Sequence, residues 1–334
     1  MRAGETPSRA KGGWPGWGAR EISGIGRVAG MRSGEGALST RGETVEAEWS
    51  GPELLVPDAR LLEAGVAELA EYLGVPTERV RERVEVELAR KGITVAEAWN
   101  QKAPGTSESI ESFYRETDAY LFDLVVDHAR PAREGYRRAA LEALAAEGGI
   151  RRVLDFGGGI GEDAICFAEA GYEVTYYDLP GETSRYARWR FERRGLPVRV
   201  VTDPGELGEG FDALYNYDVL EHVVEPIGMI RGFHERLRPD GLLLVAHSFG
   251  LVGPDYPEHL PQHAHLDNIF ARWVLPWSGF RLEARVGPWQ RLHVARRRGR
   301  WAGSRLALRP WVTRRVSALH RRLVRLRELF GSQR

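Results

Sequence analysis

The stretch 153–161, VLDFGGGIG, constrains the fold more than any other part of the chain. An apolar run ends in Asp155, glycines follow at alternate positions (Gly157, Gly159, Gly161), and after a helical interval a second apolar run, 174–178, ends in Asp178. Strand, tight bend, helix and strand in that order make a βαβ unit of the nucleotide-binding kind. The glycines let the backbone turn sharply and approach a ligand more closely than a residue with a Cβ allows. Asp178 then falls at the carboxyl end of the neighbouring strand, where its oxygens can accept from both hydroxyls of a ribose.

Two cofactors compete for this pattern. Gly159-Ile160-Gly161-Glu162-Asp163-Ala164 satisfies the looser GxGxxA form of a nicotinamide fold, so an NAD-binding oxidoreductase remains open on the glycines alone. The flanking acids decide. Asp155 and Glu162 put negative charge where a pyrophosphate needs positive potential, and suit a cofactor that carries an amine and a sulfonium. Here the chain resembles the class I S-adenosylmethionine-dependent methyltransferases, whose first motif has the form DxGxGxG. The resemblance extends to 211–223, FDALYNYDVLEHV, which is similar to the family's fourth-strand motif. It extends also to 237–245, LRPDGLLLV, similar to the next signature LxPGGxLLV with Asp240 in place of its first glycine.

The resemblance implies a doubly wound α/β fold with a seven-stranded, mostly parallel, Rossmann-like sheet and an N-terminal helical appendage. It implies transfer of a methyl group from S-adenosyl-L-methionine to a small-molecule or lipid- or sugar-linked acceptor. Asp178-Leu179-Pro180, a sequence shared with many small-molecule O-methyltransferases, points to oxygen. Ligands of a doubly wound sheet bind beyond the carboxyl ends of its strands. Asp155, Gly157, Gly159 and Gly161 are accordingly expected around the methionine part, with Asp178 on the ribose. Asn216 and Tyr217 are expected beside the transferred methyl. Asp203 resembles the family position that accepts from the adenine amino group, the alternative being a loop acid before Pro204.

Composition closes off other classes. The 334 residues are 43% hydrophobic, enough for a packed core, and contain no apolar run of membrane-spanning length. The single cysteine, Cys166, excludes a disulfide framework, points to a reducing, cytoplasmic compartment, and cannot hold the iron–sulfur cluster that radical chemistry on the same cofactor requires. Cys166 itself is expected as a small buried apolar residue.

Four regions follow in order. Residues 1–50, rich in Gly, Arg, Ser and Glu without an apolar period, are expected to be disordered, or an over-extended start with Met31 as initiator. The glutamates and glycines there argue against a transit peptide. Residues 51–147 are expected as a helical cap: a helix begun by Asp58 and ended by Gly74, others over 77–90 and 108–129, and a last one over 131–146. Residues 148–298 hold strands at 152–156, 173–177, 198–202, 213–217 and 242–247, then an antiparallel pair at 279–285 and 291–296. Residues 299–334 form a basic tail.

Methyl transfer to a hydroxyl needs alignment and a base, and histidine suits the base near neutral pH. The candidates are His222, His247, His259, His263 and His265, with His222, His263 and His265 preferred for catalysis. The insertion 257–266 is expected to face the methyl group. Asp218, Glu221 and His222 share one helical face and could hold a divalent ion, as a similar cluster in ubiquinone-pathway O-methyltransferases suggests. The preferred reading is that Glu221 and His222 brace the helix, with no metal.

The tail inverts the charge of the body. Residues 296–334 contain 13 arginines and one acid, a net +12 that balances −12 on the remainder. Val312, Val316, Leu319, Leu323, Leu326 and Phe330 recur at helical spacing among those arginines. Such a helix fits a peripheral contact at the inner face of the membrane or self-association, rather than nucleic acid. A non-enzymatic alternative is a catalytically inactive methyltransferase fold recruited through this tail.

Overall fold

A computed structural model describes residues 52–90, 92–102, 105–298 and 309–331, with the side chains of 324–331 excepted. Residues 1–50 and 299–308, and the side chains of Leu326 and Phe330, on which expectations were placed, lie outside the described residues.

The sheet is built around the βαβ unit. Its strands are β1 (Arg152–Phe156), β2 (Glu173–Tyr177), β3 (Arg199–Val201), β4 (Phe211–Tyr217), β5 (Leu237–Ala246), β6 (Phe280–Val286) and β7 (Leu292–Arg297). The spatial order is β3-β2-β1-β4-β5-β7-β6, with β1 to β5 parallel and β7 antiparallel to both β5 and β6. β1 and β2 occupy the expected residues. β4 and β5 begin earlier, because Phe211 pairs with Leu237 across a bulge.

Side chains alternate along the strands, so each face of the sheet gathers its own helices. Leu154, Leu214, Leu243 and Val245 pack with Ile230 and Phe233 of α9 (Pro226–Arg236). Val153, Tyr215 and Leu244 face Tyr136, Ala140 and Leu144 of α6 (Pro131–Glu147), with Phe167 of α7 (Glu162–Glu169) and Phe191 of α8 (Glu182–Arg194). Cys166 is buried there as a free thiol.

Five helices precede α6. In α1 (Ala59–Leu73) the Asp58 carboxylate accepts from the amides of Arg60 and Leu61, and Gly74 closes the helix at φ 65°. α2 (Thr77–Ala89) follows. α3 (Ile93–Lys102) was not anticipated: the segment is short and its apolar residues make only a weak helical period. The helix expected over 108–129 is two, α4 (Ser107–Glu116) and α5 (Ala119–His128). The break has a local cause, since the Thr117 hydroxyl accepts from the amide of Ala119 at 3.2 Å and so starts α5 anew.

The most buried fastening of this layer to the sheet is an arginine. Arg190 of α8 is 2% exposed; its Nε donates to Glu68 of α1 at 3.0 Å, its Nη1 to the carbonyl of Ile160 at 2.8 Å, and its Nη2 pairs with Glu162. Ile160, inside the glycine bend, is itself buried among Val66, Leu121 and Val125 of the helical layer. The chain ends in α10 (Pro310–Gly331). Among the described residues no helix is long and apolar enough to cross a membrane.

A buried charge left without its partner costs far more than an exposed pair contributes. Arg190→Met is expected to lower unfolding free energy by about 3–5 kcal/mol, whereas Arg193→Met, which breaks the exposed pair with Glu71, should cost about 1 kcal/mol or less. Urea denaturation of the two variants makes the comparison.

Candidate functional site

A cavity of about 350 Å3 opens where β1 and β4 diverge, the position at which strand order reverses. Its floor is the glycine bend. The amides of Gly157 and Gly158 both donate to the carbonyl of Tyr177, at 2.8 and 3.2 Å, and the amide of Gly161 donates to Gly158 O at 2.8 Å. Gly157 sits at φ 75°, and a Cβ there would lie 2.4 Å from Cγ2 of Val219. Gly158 is crowded as well: a Cβ would lie 2.6 Å from both Asp155 Oδ2 and Tyr176.

Asp178 is half-buried at the edge of this floor. Its Oδ2 accepts from the amide of Gly159 and its Oδ1 from the amide of Leu179, each at 2.7 Å. Burial pushes its carboxyl up to about 6, against the pull of those two amides. A carboxylate offers about four acceptor positions, so capacity for two further donors remains.

On the other side of the bend lies a buried charge cluster. Arg133 of α6 donates through Nη2 to Asp163 at 2.8 Å, reaches Asp127 through Nε at 3.3 Å, and stacks its guanidinium 3.6 Å from the centroid of the Tyr217 ring. Its Nη1 is buried without a hydrogen-bond partner, and so is Oδ2 of Asp155. Both residues line the cavity. Burial, with the charges of Asp163 and Asp178 nearby, holds the Asp155 carboxyl well above the ordinary carboxylate range.

The roof is aromatic. Tyr114 of α4 and Tyr120 of α5 stand 5.5 Å apart, Tyr114 meets His222 at 5.9 Å, and His222 meets His259 edge to face at 4.6 Å. Burial and the neighbouring His259 hold His222 well below the usual imidazole range, so its ring is neutral at pH 7. Its Nδ1 is buried without a hydrogen-bond partner. Glu221 accepts from the amide of Ser248 at 2.7 Å, and Asp218 from its hydroxyl at 2.8 Å, which braces the end of β4 against β5. Ligand atoms of Glu221, His222 and His259 lie within 4.8 Å of one another.

The expected residues divide accordingly. Asp155, Gly157, Gly159, Asp178, Tyr217 and His222 line the cavity, as do Tyr114, Tyr120 and His259. Gly161 shapes the bend from beneath, packed on Phe191. Asn216 is fully buried and donates to the carbonyl of Phe156 at 2.9 Å, behind the lining rather than in it. Asp203 is not in the lining either; its carboxylate accepts from the amide of Gly205 at 2.8 Å and caps the turn after β3. Of the insertion, Glu258 and His259 line the cavity, while His263 and His265 do not. His265 faces α10, its Nε2 2.9 Å from Thr313 Oγ1, and His263 packs towards Phe249. His247 stacks on His293, apart from the cavity. Arg133 was missed by sequence reasoning. The signal for it was present: Arg133 and Arg137 sit three positions ahead of Tyr136 and Ala140 respectively, on the face of α6 that the sheet buries.

A glycine bend and an acid at the next strand end, set at the switch point of a doubly wound sheet, define a Rossmann-like domain for a nucleoside-bearing cofactor. Residues 126–303, more than half of the chain, match the family model described as "Methyltransferase domain", and the chain belongs to that family. It is similar to the ubiquinone biosynthesis O-methyltransferase of Methylocella silvestris, 34% identical over 153 residues that cover 41% of this chain and 57% of the relative. A second protein of that name, from Xanthomonas axonopodis pv. citri, is 32% identical over 183 residues, covering 48% and 74%. The chain thus spans little more than half the length of the first of these curated relatives. Among solved structures, a mitomycin 7-O-methyltransferase superposes with a TM-score of 0.42 at 19% identity, over 74% of each chain.

Gly157→Ala is expected to lower unfolding free energy by about 2 kcal/mol, from left-handed backbone strain and overlap with Val219. Adding Val219→Ala should restore part of it, the overlap but not the strain. Urea unfolding of the single and double variants reads this.

Proposed function

We propose that this protein transfers the methyl group of S-adenosyl-L-methionine to a hydroxyl of a small-molecule acceptor. The observation that carries the reading is a pair of orphaned polar atoms on one side of the glycine bend and an under-used carboxylate on the other. Nη1 of Arg133 suits a ligand carboxylate, Oδ2 of Asp155 suits a ligand ammonium, and Asp178 suits a vicinal diol. An α-amino acid joined to a ribose has those three groups. A dinucleotide fits poorly, since acids dominate the floor and its one arginine, Arg133, is already paired with Asp163.

When bound, the donor supplies a methyl group on a positively charged sulfur, so the protein's task is alignment within about 3–3.5 Å and removal of the acceptor proton. Asp178 holds the sugar, and Arg133 with Asp155 holds the amino-acid end. Tyr217 is fixed by the Arg133 guanidinium against its ring, which keeps the wall beside the reacting groups rigid. His222, neutral and lining the cavity, takes the proton of the acceptor hydroxyl. Tyr114 and Tyr120 offer flat apolar faces to an aromatic or other planar acceptor and exclude water from it. The names of the relatives, ubiquinone biosynthesis O-methyltransferases, support oxygen as the acceptor atom.

Protonating Asp178 removes acceptor capacity for the ribose, and its carboxyl titrates near 6 in the ligand-free fold. Donor affinity, read by calorimetry, is therefore expected to fall by up to about tenfold per unit as pH drops below that value. Asp178→Asn should bind weakly at every pH without that inflection. Absence of heat with S-adenosyl-L-methionine at pH 8 in the unaltered protein would overturn the proposal.

His222→Asn is expected to keep donor affinity while lowering kcat about 10²–10⁴-fold on whichever hydroxyl acceptor a panel of phenols and catechols identifies. Turnover that survives this substitution would remove His222 from the chemistry.

A further inference from the structure

We infer that α10 is an interfacial helix that seats the protein on an anionic lipid surface. The helix is anchored to the body by a line of small polar residues and by Val316, which packs on the core. Thr313 and Ser317, both fully buried, meet His265 and Asn268, with Ser317 Oγ donating to Asn268 Oδ1 at 3.0 Å. The leucine stripe is not used in this contact. Leu319 and Leu323 lie about a third of a turn around the helix from the anchoring line, and they remain 58% and 51% exposed, with Trp311 at 52%. Arg315 and Arg322 border the leucines, while Arg314 and Arg321 lie on the face opposite them, next to the anchoring line, where Arg321 Nη1 donates to Ser317 Oγ at 2.6 Å; all four are exposed. Among the described residues no ion pair engages any of these four arginines.

Charge selects the occupant. A two-fold contact between copies of this chain would set the same patch against itself, arginine facing arginine. Negatively charged headgroups meet Arg315 and Arg322, which lie in line with Trp311, and the acyl boundary takes the leucines, in the arrangement of a helix lying in the interface plane. The net charge of +12 over residues 296–334, against −12 on the rest of the chain, fixes which end turns to the surface. The position matters to the cavity. The segment that α10 grips, Pro261–Leu266, continues directly from the cavity-lining residues Glu258 and His259, near which Leu251 and Val252 are also exposed. This inference is independent of the methyl-transfer reading.

Flotation of the full chain with phosphatidylcholine vesicles, with and without phosphatidylserine, tests it. Binding is expected only with phosphatidylserine, with release at high salt as the charges are screened. Leu319→Glu/Leu323→Glu and Arg315→Glu/Arg322→Glu should each lower partitioning at least tenfold, with thermal unfolding unchanged to show that the body is intact. No binding to the anionic vesicles, or binding that survives both double substitutions, would overturn the inference. So would a dimer in light scattering that the leucine substitutions dissolve, or binding to duplex DNA that outlasts them.

Discussion

The structure depends on the pinning of the glycine bend to the end of β2. The carbonyl of Tyr177 accepts two consecutive amides from the bend, the carboxylate of Asp178 accepts the amide of Gly159, and the Tyr176 hydroxyl donates back to the carbonyl of Gly159 at 2.5 Å. Backbone donors and acceptors that a sharp turn would leave without partners are thereby satisfied by the neighbouring strand. The same bend puts Ile160 into the helical layer and its carbonyl onto Arg190. One short segment therefore joins sheet, cap and cavity, and movement of the bend cannot be separated from movement of any of them.

That arrangement concentrates carboxylates. Asp155, Asp163 and Asp178 converge on the cavity floor with Arg133 as the cation among them. A carboxyl raised above its unfolded value of 3.8 is favoured in its protonated form by the fold, so Asp155 subtracts stability as pH rises from the ordinary carboxylate range towards its folded value. A bound cation reverses the sign, because it stabilises the ionised form in a site that water reaches poorly. The cavity is strained electrostatically when empty of positive charge, and cation binding is linked to proton release from its floor.

The sheet was largely legible in the sequence because central parallel strands are buried on both faces and read as continuous apolar runs ended by glycine or acid. β1 and β2 match residue for residue. The cap was less legible. Its breaks depend on single hydrogen bonds, as at Thr117, and the weak periodicity of Ile93–Lys102 concealed a helix. In the site, Asp155, Asp178 and Tyr217 at the strand ends line the cavity, whereas Asn216 on β4 turns behind it and several loop residues miss it. Asp203 turned its carboxylate onto its own loop, and His263 and His265 lie one short turn beyond the cavity-lining His259. In the tail the apolar period found the helix and Val316, which packs on the core, but the fully buried residues of the contact are Thr313 and Ser317, a line that hydropathy does not mark.

The placement of His222 follows from one strained residue. Asp218, just past β4, has φ 49°, a left-handed conformation that Asp tolerates better than most residues. Its side chain is held there by the hydroxyl of Ser248, and Glu221 by the amide of the same residue. The reversed backbone turns Val219 down against Gly157, closing the floor, and sends the following turn, Leu220–His222, up to the roof. Val219 and His222 thus reach opposite walls of one cavity from a single bend. A β-branched residue at position 218 would favour the extended conformation, lift Val219 off the glycine and withdraw His222 together. The acid there acts on both walls through backbone geometry before any role for its charge.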